Sequence, residues 1–403
     1  MRYSLIAAIS IVGQFLSLGL AFLFHFLMAR WLGLGLYGDF GVLLAAFTIL
    51  FHPIISVQAV LMREVARLHA SQEEGKIAGL VIQQVKKGLQ GGLALGGLVL
   101  LFLFSLGLVP HPLETILFLL SIPLFYVIFI FNSYYQGTQQ ATRFAGVLVL
   151  TDFLRLALAM LLVGAGLGLF GISLSYLGTA LLVLLPLFIF LYLPFTAQVQ
   201  PYSFSLSEHL KWIFPTYALL ALFLAMDLFF VRQFVGAEAA GLYNAALTLA
   251  RAVFYAGLGA MNAFLPQSSK LDLKKESAKI LRALMISLGL LAAFALAIFT
   301  FREPLLATLY GEAYLAAAPL LALLVFSMLL LASSLLLVNL MWSQGEQKQP
   351  LLLVSLAAAV AVVIFYLFTT QFGAVGTAYA SLAGTALLFL LNVGGNIRLY
   401  RKQ

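Results

Sequence analysis

From Tyr3 to Ala29 the chain runs without a single Lys, Arg, Asp or Glu. About 20 consecutive apolar residues suffice for an α-helix to cross the hydrocarbon core of a bilayer. Runs of this kind recur to the C-terminus. They are continuous and do not alternate every second residue, which argues against a β-barrel and leaves helices as the way to satisfy backbone polar groups in lipid. With 63% hydrophobic and 9% charged residues, the 403-residue chain has too little polar surface to coat a soluble globule. It reads as an all-α polytopic membrane protein. The first run is longer than a signal-peptide core and lacks a small-x-small cleavage site, so it is expected to be a retained span. The absence of cysteine excludes disulfides and thiolate metal sites.

The apolar runs accommodate about twelve transmembrane helices, placed at 4–30, 37–63, 78–108, 113–136, 143–165, 170–195, 209–232, 240–266, 280–301, 313–342, 349–370 and 374–397. An internal duplication organises them. Gly33, Gly38 and Phe40 in Arg30-Trp-Leu-Gly-Leu-Gly-Leu-Tyr-Gly-Asp-Phe fall on Gly236, Gly241 and Tyr243 at a shift of 203. Gln136-Gly137 recurs as Gln344-Gly345, and Phe170-Gly171 as Phe372-Gly373, so three echoes keep one order at shifts of 202 to 208. The expected layout is an N-lobe of six spans over 1–195, a cytoplasmic linker over 196–208 and a C-lobe of six spans over 209–403, the lobes related by pseudo-twofold symmetry.

Seventeen of the 22 Lys and Arg residues fall on one side of this topology, three (Arg30, Arg232, Arg302) on the other, and Arg155 and Arg251 inside spans. The positive-inside rule then places both termini in the cytoplasm, and for a bacterial chain the cytoplasmic (inner) membrane. It also accounts for the net charge of +8 without nucleic acid. The connections Glu64–Lys87 and Gln267–Arg282 are basic and amphipathic, which suggests short helices lying along an anionic leaflet. Outer connections are too short for an extracytoplasmic domain. Gly88, Gly92 and Gly96 offer one smooth face for close helix packing, and Pro53, Pro123, Pro215 and Pro319 should bend spans or free carbonyls.

An ionisable side chain in the hydrocarbon core costs about 2.5–3.5 kcal/mol and needs a partner or water. His25, Asp152, Arg155, Asp227 and Arg251 are the deep candidates. Asp152 and Arg155 lie three apart on one helix face, readable as a self-neutralising pair or as a cavity-facing one whose acid orients the arginine or exchanges a proton. Arg251 belongs to a stripe with Asn244, Thr248, Tyr255 and Asn262. It could pair with Asp227 or offer its planar fork to phosphate. Stripes also run along the first span (Ser10, Gln14, Ser17, His25) and the second (Thr48, His52, Ser56, Arg63), so the duplication suggests one aqueous cleft served by four helices. No catalytic constellation, metal-ligand cluster or nucleotide-binding loop is legible, so no enzyme and no cofactor is expected. Transport would then draw on an H+ or Na+ gradient or on the membrane potential.

The hairpin Arg30 to Gly38, the Leu61-Met-Arg63-Glu64-Val-Ala66 segment, Asp227 ahead of Gly236 to Tyr243, and the repeated Gln-Gly together resemble the polysaccharide transporter family. This is the Wzx-like branch of the multidrug/oligosaccharidyl-lipid/polysaccharide (MOP) exporter superfamily. The resemblance implies a MATE/MurJ-like pair of six-helix lobes. It implies a flippase moving polyprenyl-pyrophosphate-linked oligosaccharide to the outer leaflet by alternating access, alongside membrane lipids and other polysaccharide-assembly proteins. Arg63, Arg155 and Arg251 would engage the pyrophosphate, with Gln14, His52, Asn244, Thr248 and Tyr255 along the sugar's path and Asp152, Asp227 and His25 in coupling or gating. Lipid II flippases of the superfamily usually have fourteen spans and several early arginines, and its cation-coupled drug exporters commonly carry an acid in the first span. This chain has neither feature, and both remain alternatives.

Overall fold

The computed structural model describes residues 2–109, 111–268 and 277–402. Its long helices, in chain order, are α1 (Arg2–Phe51), α2 (Ile54–Ala70), α3 (Glu74–Ser105), α4 (Pro112–Gly137), α5 (Ala141–Gly164), α6 (Gly168–Leu187), α7 (Ile213–Phe234), α8 (Ala237–Ser268), α9 (Ser277–Thr300), α10 (Ala318–Ser343) and α11 (Lys348–Lys402). Among the described residues, the apolar stretches Ile9–Ala70 and Lys348–Arg401 are 62 and 54 residues long. At about 1.5 Å per residue each exceeds twice the ~30 Å hydrocarbon core, so each must fold back. Gly33 (φ 70°, ψ 176°) and Gly373 (φ 61°, ψ −144°) are the points of reversal. Phe24 and Phe47 both lie 5.9 Å from the Tyr176 ring, although a straight helix would hold them about 35 Å apart. Likewise the Thr369 and Thr377 hydroxyls meet at 2.9 Å. Counted with these reversals, the described residues carry twelve helices of membrane-spanning length, and the protein is a multi-pass membrane protein.

The turns make the duplication more regular than the sequence does. Residues with left-handed backbone recur as Gly33 and Gly236, Gly107 and Gly311, Gln139 and Gly345, and Gly168 and Gly373, at shifts of 203 to 206. Gly171, which the echo lays on Gly373, lies three residues inside α6 instead, packed on Leu162. Gly137 is the last residue of α4, pressed on Val65 and the Met62 carbonyl, so the Gln-Gly echo also slips by two. The reason is steric: the turn needs φ > 0, and the residue that supplies it need not keep its place in the surrounding motif.

The chain packs as two compact units. One comprises Met1–Leu32 and Ala46–Phe214; the other comprises Gly33–Ala45 and Pro215–Gln403. In the first, α4 is central, packed by α2, α3 and α6. Gly88, Gly92 and Gly96 of α3 face Tyr126, Pro123 and Leu119 of α4 in antiparallel order, so close approach here uses the glycine face. Pro53 breaks the second span at His52, with Ser56 Oγ donating to its carbonyl at 2.6 Å. Glu64–Lys87 is not a surface helix. α2 continues to Ala70, turns at Gln72 (φ 58°), and α3 starts at Glu74. Of its counterpart Gln267–Arg282, residues 269–276 lie outside the described residues. After Ala197 the chain straps the first unit: Gln200 N–H donates to the Gly75 carbonyl at 2.9 Å, and the Tyr202 hydroxyl meets Glu64 and Arg67. Burial, with the Glu64 carboxylate alongside, raises the Tyr202 phenol above its ordinary value.

In the second unit α10 is central, packed by α8 and α11. The segment Gly33–Ala45 crosses α8 at paired glycines. A Cβ on Gly38 would strike the Ala237 carbonyl oxygen, and one on Gly241 would strike that of Leu34. At the shift of 203 these two contacts are copies of each other, so the crossing is locally twofold, each residue meeting its partner's equivalent. Asp39 and Arg232 pair at 2.6 Å beside it, and Tyr37 packs against Tyr310 and Tyr314, whose rings also touch each other.

Candidate functional site

In the first unit a charged centre lies within the spans, on α5. Asp152 and Arg155, three residues apart on α5, pair at 2.5 Å with side chains 14% and 15% exposed. Ser17 of α1 donates to the other oxygen of Asp152. The Arg155 guanidinium carbon sits 5.2 Å from the ring centres of both Phe24 (α1) and Tyr176 (α6). Tyr176 is itself fixed among Phe47, Phe118 and Phe125. The i, i+3 pairing is the self-neutralising one. His25 stands part-buried with its ring edge against Phe24.

The second unit holds another. Arg251 on α8 is 7% exposed, and its Nη2 and Nε donate to the Leu224 carbonyl of α7 at 2.5 and 3.2 Å. Asp227, 1% exposed, accepts from the Leu228 N–H and from the Tyr243 hydroxyl, at 3.0 and 3.1 Å. The two charges therefore attract across a short gap without a contact ion pair. The stripe along α8 faces protein over most of its length: Asn244 is wholly buried against Gly41 and donates to the Tyr37 carbonyl at 3.3 Å, and Thr248 is buried near Tyr310. It opens at Tyr255, 40% exposed. Asn262 lies outside the described side chains.

The remaining candidates scatter. Arg63 and Gln14 are exposed, and His52 is buried beside the break before α2. Sequence reading missed Phe24, Tyr176 and Tyr243 as partners of the charged groups. Tyr243 carried a signal, since a phenol sixteen residues beyond an intramembrane acid, in a hairpin, can fold back onto it. The ring partners carried none.

No family model matches the chain, and no curated protein matches it. Solved structures do. An inward-facing multidrug resistance MATE family transporter of the MOP superfamily aligns over 94% of this chain and 95% of its own, with a TM-score of 0.77 and 15% identity. The lipid II flippase MurJ, in an inward closed conformation, aligns over 96% and 87%, with a TM-score of 0.70 and 13% identity. A MOP superfamily transporter from Pyrococcus furiosus Vc1 (DSM3638), described as having a binding pocket of reverse polarity, aligns over 99% and 96%, with a TM-score of 0.69 and 17% identity. At such identities the likeness speaks for fold, and the chain has the fold of the MOP superfamily transporters.

Proposed function

We propose that this protein is a flippase that carries a polyprenyl-pyrophosphate-linked oligosaccharide from the cytoplasmic to the outer leaflet by alternating access, for cell-surface polysaccharide assembly. The observation that carries the reading is Arg251, a buried guanidinium in a membrane-spanning helix whose donors rest on a backbone carbonyl and not on a carboxylate. A cation held by a neutral acceptor keeps most of its attraction for a phosphate, and exchanging one oxygen acceptor for a charged one strengthens the bonds. Arg63, exposed at the end of the second span, is the first contact in this scheme. Arg155, offset by Asp152, is the weaker phosphate ligand. Asp227 is the group through which an H+ or Na+ gradient would couple, and both termini are cytoplasmic.

The test is glycan export in a strain lacking its own flippase, with Arg251→Ala and Arg251→Lys compared with the parent. Both should lose export while still folding and reaching the membrane, because lysine has no fork with which to bridge two phosphate oxygens. Export at the parental level by Arg251→Ala would reject the reading. A second reading, a cation-coupled drug exporter, draws on the buried acid Asp227 and on the likeness to MATE transporters. It requires drug efflux that disappears in Asp227→Asn. Likeness to MurJ keeps a lipid II flippase as the third, tested by rescue of cells depleted of their own.

A further inference from the structure

We propose that the first unit contains a receptacle for guanidinium-type organic cations, and that Arg155 of the same chain fills it, acting as a tethered plug that sets selectivity against free cations. The centre has the parts that recognise a planar, delocalised cation: a carboxylate, a hydroxyl that orients it, and two aromatic faces. Asp152 supplies the carboxylate, with Ser17 on one oxygen. Phe24 and Tyr176 supply the faces, each 5.2 Å from the guanidinium carbon. A cation between aromatic rings is attracted by both quadrupoles, more strongly the less water reaches it.

Two features make this a receptacle and not only an ion pair. First, the walls are built without Arg155. Phe24 is fully buried, and Tyr176 is wedged among Phe47, Phe118 and Phe125 with centroid distances of 4.6 to 6.1 Å, so the faces should keep their places if the guanidinium leaves. Second, the four wall residues come from three helices, while the occupant comes from the same helix as the acid, one turn along. An i, i+3 arginine reaches its acid without any help from aromatic neighbours. The rings therefore add selectivity for a flat cation beyond what neutralising Asp152 requires. At 15% exposure the plug is not fully enclosed by its walls. This proposal stands apart from the flippase reading, since it concerns binding to the purified protein whatever is carried.

Truncating Arg155→Ala removes the ethylguanidinium portion of the side chain, and ethylguanidinium is accordingly the probe. N-ethylurea, which has nearly the same shape and no charge, is the control. Binding to the full-length protein in detergent is read by calorimetry and by thermal shift. Arg155→Ala should bind ethylguanidinium at least tenfold more tightly than the parent does, and at least tenfold more tightly than it binds N-ethylurea. Asp152→Asn added to Arg155→Ala should abolish that preference, and Tyr176→Leu should weaken it. Equal binding of the two solutes, no gain over the parent, or a preference that survives Asp152→Asn would overturn the proposal. Arg155→Ser provides a second vacated site. If neither variant folds while Arg155→Lys does, the positive charge at this position is structural and the proposal fails.

Discussion

A methyl group on Gly38 is the sharpest probe of the crossing between Gly33–Ala45 and α8. Built on the observed backbone, it would overlap the Ala237 carbonyl oxygen and sit 2.8 Å from the Gly241 nitrogen and 3.0 Å from the Ala237 carbonyl carbon. Carbon settles about 3.3–3.6 Å from a backbone oxygen. The opposing atoms are main chain within helices and cannot rotate away, so relief means separating two helices by roughly 1 Å. Overpacking of this kind costs about 1–3 kcal/mol. Gly241→Ala is the mirror perturbation, striking the Leu34 carbonyl oxygen with its carbon at 2.8 Å. Because either methyl forces the same two helices apart, the second should add little. The double variant should be about as destabilised as the worse single variant and well short of their sum. Gly35 is the internal control: it is helical, nothing lies within 4 Å of its Cβ position, and alanine there should stabilise by about 0.5–1 kcal/mol. Denaturant unfolding of the purified protein in micelles, followed by circular dichroism, measures all four variants. Single variants within about 0.5 kcal/mol of the parent, or a strictly additive double, would refute the argument.

Three further outcomes can be stated. Gly33→Ala and Gly373→Ala, at φ 70° and 61° with extended ψ, should each cost about 1–3 kcal/mol although neither crowds a neighbour closely, since that backbone region is open essentially to glycine; unfolding midpoints equal to the parent's would contradict this. The Asp39–Arg232 pair, 10% and 23% exposed, should show a coupling of about 1 kcal/mol in an Asp39→Asn, Arg232→Gln double-mutant cycle, shrinking in high salt; a coupling indistinguishable from zero at low salt would make it a passive contact. Tyr243→Phe removes the phenol donor from buried Asp227 and should destabilise by about 1–3 kcal/mol, whereas Tyr255→Phe, at an exposed position, should leave unfolding unchanged.

What could be read from the sequence followed from constraints that only a few residue types satisfy. Twelve spans were legible because lipid excludes charge over twenty residues at a time. Gly33 and Gly236 were legible because a one-residue reversal needs φ > 0. Gly107 and Gly311 were not, since their neighbours Ser-Leu-Gly-Leu and Leu-Tyr-Gly-Glu share nothing but the glycine, and the match of Gln139 with Gly345 is invisible because a glutamine occupies one copy. The Asp152–Arg155 pair was written in its spacing. Its aromatic walls were hidden among 35 phenylalanines and 16 tyrosines, any of which could have packed there. The acceptor of Arg251 is a main-chain carbonyl, which leaves no mark in a sequence at all.

The two copies have kept their turns and parted in their chemistry. Turn residues recur at shifts that differ by no more than three, because the thickness of the hydrocarbon core sets the length of every span between turns. The charged groups obey no such register. Asp152 and Arg155 sit on the fifth span, and the matching stretch of the eleventh, around residues 357–363, is wholly apolar. Asp227 and Arg251 sit on the seventh and eighth spans, and at the shift of 203 their counterparts are Phe24 and Thr48. Phe24 in turn forms a wall of the Arg155 centre, so a position that carries the acid in one copy carries an aromatic face in the other. A duplicated scaffold of this kind offers two equivalent halves, and two different buried charge systems make them energetically distinct. On the proposed flippase reading, a ligand that engages one arginine biases one half alone, which is the condition for differential affinity between states. Moving the first system into the other copy, by Asp152→Ala with Arg155→Ala and Ala357→Asp with Val360→Arg, should therefore leave the helices intact and, on the proposed flippase reading, disable transport. Retained transport in such a protein would show that the asymmetry is incidental.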